Sequence, residues 1–184
     1  MRMSFLAKRA APLVFLMLLC LARTAMATPM TKDMANRYYA SCLAKPDIRF
    51  SKVDQQDYCA CTSAQVMRLM TVEDLRDLKA STYLQNKFLT DIDTPCLGDA
   101  VKTIVAIQCM NNAVQLPRDS NADAICRCTA KLTSDWYNFA GRSLMVRALK
   151  NDPDATDPLS VVQNTIEFKT ETKQNLQSCT DHPQ

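Results

Sequence analysis

Glycine and histidine are nearly missing from this 184-residue chain, which holds two glycines, Gly98 and Gly141, and one histidine, His182. A glycine-rich phosphate loop or a dinucleotide fingerprint needs several glycines within a few positions, so both are excluded. A Ser-His-Asp triad, a Cys-His pair or a histidine-bearing zinc site needs an imidazole inside the fold. His182 stands third from the C-terminal end, where order is usually weakest. Glycine-based hairpin turns and β-branched alternation are also scarce, which argues against strands. No N-x-[ST] sequon occurs.

What is present begins with a leader. Arg2, Lys8 and Arg9 form a positive n-region, an apolar run extends from Ala10 to Ala22, and Ala25-Met26-Ala27 has the small-x-small form of a signal-peptidase site. The run covers 13 residues, whereas a membrane-spanning helix needs about 20. Residues 1–27 therefore read as a signal peptide with no permanent membrane anchor, and Leu19 before Cys20 argues against a lipoprotein site. Cleavage removes Arg2, Lys8, Arg9 and Arg23, leaving 18 basic against 19 acidic residues and a net charge near −1 in place of +3. No positive field remains for nucleic acid or anionic lipid.

Cleavage also takes Cys20, which reduces nine cysteines to eight. An even set in an exported chain reads as a disulfide framework. Cys42, Cys59 and Cys61 recur 67 positions later as Cys109, Cys126 and Cys128, each copy continuing with a threonine, Thr62 or Thr129. Cys96 closes the first set and Cys179 the second. This C-x16-C-x-C recurrence reads as an internal duplication, with residues 28–95 as repeat 1 and 96–184 as repeat 2. Two positions apart on a helix, Cys59 and Cys61 point roughly 200° from one another, and a bond across one residue is strained. Each must reach a different neighbour, as must Cys126 and Cys128. Pairing within each set then leaves two choices per set, four patterns in all.

Both copies read as helical. Met34, Tyr38 and Cys42 share one face, a polar loop covers Lys45 to Gln56, and Cys59, Ser63, Val66 and Met70 make the stripe of a helix from Tyr58 to Met70. Thr71-Val72-Glu73-Asp74 has the form of a capping box for a third helix through Leu75 and Leu78. In the second copy Val101, Ile104, Val105 and Cys109 form the first stripe. A loop with Pro117, Asp119 and Asn121 follows, and the next helix runs from Ile125 towards Leu149. Asp157-Pro158 is a cap with proline at the first helical position, expected to launch one final helix to Cys179. The expected fold is all-α: two disulfide-stapled three-helix repeats packed as one compact unit, a size at which about 70% of the unfolded surface can be buried.

No constellation for catalysis emerges. The C-x-C segments are one residue short of the C-x-x-C of redox pairs and of zinc knuckles. Pairs such as Met30/Met34 and Met67/Met70 suit Cu(I), but methionine is also an ordinary core filler. Asp152, Asp154 and Asp157 suggest a calcium loop, yet Asp157 and Gln163 stand where glycine and glutamate are required. Glu73, Glu167 and Glu171 read as solvated helix faces. No catalytic residue, metal ligand or cofactor is assigned. Trp136, Tyr137, Phe139, Arg142 and Arg147 are of types enriched in binding hot spots and form the expected partner surface. The expectation is a small, exported, non-enzymatic protein-binding module of the bacterial periplasm or the medium: an immunity-type inhibitor, an envelope chaperone or a secretion-system accessory subunit. The alternatives are thiol or copper handling at the C-x-C segments and a carboxylate-dependent hydrolase.

Overall fold

The computed structural model describes residues 27–117 and 120–182. Residues 1–26 of the expected leader, and Asp119 of the second loop, lie outside the described residues. The fold is all-α. Among the described residues there are eight α-helices and no strand, only an isolated antiparallel bridge between Pro29 and Thr71.

Capping side chains punctuate the first half. Helix α1, Lys32–Leu43, starts where the Thr31 hydroxyl accepts from the Met34 N–H. Helix α2, Lys52–Leu69, begins six residues earlier than its apolar stripe predicts. Ser51 and Asp54 form a reciprocal capping box there, an advance through polar residues that periodicity alone does not register. The predicted stripe holds: Cys59, Ser63, Val66 and Met70 are buried. Thr71 and Asp74 form the expected capping box of α3, Val72–Asp77. That helix does not run on through Leu78. The chain tightens into a 3-10 turn, Leu78–Ala80, and Ser81 caps a new helix, α4, Thr82–Phe88. The coil then widens into a π-helical turn, Leu89–Asp93, and closes with a 3-10 turn, Thr94–Cys96, that contains Pro95.

Longer helices build the second half. Helix α5 is Gly98–Asn111, and Asn121 caps the 30-residue α6, Ala122–Asn151. Asp157 caps α7, Pro158–Gln163, by accepting from the Leu159 and Ser160 N–H groups. The predicted single final helix is interrupted, because Thr165 provides a second cap and starts α8, Ile166–Asp181.

The disulfides select one of the four patterns, and it is the same one twice. Cys42 bonds Cys59 and Cys61 bonds Cys96, while Cys109 bonds Cys126 and Cys128 bonds Cys179. Cα separations of 5.4–5.9 Å lie in the ordinary range for the bond. Helices α2 and α6 are thus each stapled on two sides. Thr62 and Thr129 are buried beside these bridges, and each turns its hydroxyl back to a carbonyl one turn earlier, on Tyr58 and Ile125 respectively.

The principal core lies between α5, α6, α7 and α8 and draws Leu89, Phe50 and Tyr58 from the first half. A smaller core around Val66, Met70 and Ile92 sits under α1 and α4. Tyr137 joins the halves: it is fully buried, and its phenol donates to the Thr94 carbonyl at 3.1 Å. One turn later, Gly141 leaves room for that ring, since a Cβ there would stand 2.8 Å from it.

Candidate functional site

Helix α6 carries the predicted partner residues, and its geometry sorts them. At about 100° per residue, Trp136, Phe139, Arg142 and Arg147 fall on the outer side, whereas Tyr137 points into the core. Tyr137, 1% exposed, is therefore unavailable to a partner. Phe139 is 91% exposed, and Leu132 and Val146, one heptad before and after it, are 36% and 40% exposed. Sequence reasoning missed those two, although their seven-residue spacing around Phe139 was visible. Trp136 is half-buried at the edge of this row, its ring 6.3 Å from that of Phe168. Arg142 is held to Asp91 at 2.8 Å and Arg147 to Glu167 at 3.3 Å, so both flanks of the row carry anchored charge.

A second constellation escaped the sequence reading. Asp93, in the π-helical turn, is 5% exposed and accepts the Tyr58 phenol at 2.6 Å. Burial pushes the Asp93 carboxyl up to about 7 despite that hydrogen bond, which acts in the opposite sense. Burial first, and then the nearby Asp93, raise the phenols of Tyr58 and Tyr38, the latter to about 12. A usable signal existed: Leu89, Ile92 and Cys96 share a helical stripe, and position 93 falls on it.

The 152–157 segment covers this pair. Arg49 binds Asp47 and Asp157 together, tying the loop after α1 to the start of α7. Burial opposes ionisation of Asp157, but hydrogen bonds from Arg49 and Ser160 outweigh it and hold the carboxyl at about 2. The aspartates considered for calcium are thus divided: Asp157 caps α7 and binds Arg49, and Asp152 closes α6. A cleft of about 390 Å³, lined in part by Tyr38, Phe50, Tyr58 and Pro158, opens on one side of Thr156. On the other side, Asp93 lines a cleft of about 350 Å³ with Leu78, Phe88, Leu89 and Ala155.

All eight described cysteines are bridged, so neither C-x-C segment offers a thiolate to a metal or a disulfide substrate. Among the described residues, no three His, Cys, Asp or Glu side chains gather as a metal site would require. Glu73 binds Thr28 and Glu167 binds Arg147. Among the described residues no helix is long and apolar enough to cross a membrane. Compared with family models, curated proteins and solved structures, the chain matches none.

Proposed function

We propose that this is an exported, non-enzymatic binding protein that takes a helix of a partner protein along the outer face of α6. The observation that carries the reading is Phe139, 91% exposed at the middle of the longest helix. Burying such a side chain stabilises by roughly 1.5–3 kcal/mol, and here that burial is left undone. Leu132, Phe139 and Val146 repeat every seven residues, the spacing at which one helix receives the side chains of another. The anchored Arg142 and Arg147 stand where flanking charges set partner choice. An immunity-type inhibitor, an envelope chaperone and a secretion-system subunit would each use such a face. The equal cysteine offset and equal bridge pattern support an internal duplication in which the second copy acquired it.

A photo-crosslinking amino acid at position 139, introduced in the exporting cells, tests this reading. One partner is expected to be captured from 139 and 146 but not from Tyr83, which is 74% exposed on α4. The purified partner should bind wild type at least tenfold more tightly than Phe139→Ala, with the fold of the variant unchanged. Equal capture from Tyr83, or equal affinity for the variant, would sink the proposal.

Four disulfides fit an oxidising compartment, and the leader with no sequon favours a bacterial periplasm. The contacts of Thr28 support cleavage after Ala27. The Thr28 N–H lies 2.9 Å from Glu73 Oε2, its hydroxyl 2.8 Å from Oε1, and its carbonyl accepts from Val72 at 3.0 Å. Hydrolysis of the Ala27–Thr28 peptide bond would place a new α-ammonium on the Glu73 carboxylate. N-terminal sequencing of the exported protein should begin at Thr28, and that amine should acylate more slowly in wild type than in Glu73→Gln. A start elsewhere, or equal rates, would refute the assignment.

A further inference from the structure

Among the described residues, Asp54 and Asp93 are the buried acids. Asp54 is occupied in the capping box of α2. Asp93 caps nothing: one oxygen accepts from Tyr58, and the carboxyl forms part of a cleft wall shared with the apolar Leu78, Phe88, Leu89 and Ala155 and the polar Lys79, Gln85 and Thr156. Its second oxygen accepts no hydrogen bond among the described residues. Lys79 stands in the same wall but forms no ion pair with Asp93, and a buried carboxylate without an ion pair is costly. The volume, about 350 Å³, is at the small end for organic ligands.

We propose that this cleft binds a small organic cation, a protonated amine on an apolar body, with the ammonium paired to Asp93 and the body against Leu78, Phe88 and Leu89. The site is independent of the α6 face. An ammonium provides the missing ion pair and a donor for the free oxygen, while the apolar body displaces water from the apolar walls. A neutral ligand of the same shape does only the second.

The groups around Asp93 set the pH dependence. The phenols of Tyr58 from α2, Tyr38 from α1 and Tyr137 from α6 are all raised by burial and stay neutral near pH 7. Lys79 is the cation in the cleft wall, with Gln85 holding its carbonyl at 3.1 Å, and Thr156 of the covering loop is uncharged. Asp93 must therefore release its own proton to pair. With ionisation near 7, affinity at pH 5.5 should be about thirtyfold weaker than at pH 8.

Isothermal titration with benzylammonium, with benzyl alcohol as its neutral counterpart, tests the proposal. Wild type at pH 8 is expected to bind one benzylammonium per chain and no measurable benzyl alcohol. Asp93→Asn keeps an acceptor for Tyr58 and should bind at least tenfold more weakly. Ala155→Phe fills the cleft with the carboxyl intact and should also lose binding, which keeps the test valid if the first variant fails to fold. Absence of benzylammonium binding, equal binding of benzyl alcohol, or unchanged affinity in either folded variant overturns the site.

Discussion

Replacing Cys128 and Cys179 together with alanine should lower the unfolding free energy by about 4 kcal/mol, the largest loss for any of the four bridges. The reason lies first in the unfolded chain. This bridge closes the longest loop, 51 residues, against 35 for Cys61–Cys96 and 17 for each of the other two. A longer loop restricts the denatured ensemble more, and the shorter pair should contribute about 3 kcal/mol each. The folded state adds to the difference. Helix α8 fully buries only Phe168, near its start, and Cys179, near its end. Without the bridge its C-terminal turns keep little to hold them on α6. Urea unfolding of C128A/C179A beside C42A/C59A measures the order, and a smaller loss for the 51-residue loop would contradict it.

The second large effect concerns pH. Burial raises the Asp93 carboxyl to about 7 when folded, against about 3.9 in an unfolded chain. Between those values the folded state binds more protons than the unfolded one. The contribution is therefore fully present below about pH 4, falls as pH rises, and is lost above about pH 7. Its full size is on the order of 4 kcal/mol, at about 1.4 kcal/mol for each unit of difference. Asp47 and Asp157 act in the opposite sense. Their carboxyls are held low, so their contribution is present at neutral pH and declines in acid. Wild type should consequently be most stable in mild acid. Asp93→Asn should remove the decline, gaining stability over wild type at pH 8 and little at pH 4.5. Denaturant unfolding at the two pH values decides it; equal wild-type stability at both would mean that the carboxyl is not held neutral.

A destabilising acid in a core shows in the sequence only as a polar position on an apolar stripe, as Asp93 does beside Leu89, Ile92 and Cys96. The stripes of α1, α2 and α5 were legible because apolar residues recur at helical spacing over two turns or more. The capping box at Thr71 and the cap at Asp157 were legible because their residue types are strict. The breaks at Leu78 and at Thr165 were not. In each, an apolar or polar run continues at helical spacing, and a serine or threonine hydroxyl restarts the helix without a proline or glycine to mark the place. The cysteine spacing reduced the bridges to four patterns, but the choice depended on which face of α2 meets α1, a matter of tertiary packing. For the proposed partner surface, residue type pointed to the segment, while the helical phase, read only from the structure, removes Tyr137 and adds Leu132 and Val146. Asp93 and Tyr58 are 35 positions apart, and no local pattern connects them.

The bridge pattern has a consequence for how the chain acquires it. Numbered along the described residues, the first cysteine bonds the second, the third the fourth, the fifth the sixth and the seventh the eighth. No bridge encloses or crosses another. In a polypeptide delivered N-terminus first to an oxidising compartment, each even-numbered sulfur arrives to find one unpaired sulfur already there, and that sulfur is its native partner. Order of arrival and native connectivity coincide, so oxidation as the chain emerges yields the native pattern without reshuffling.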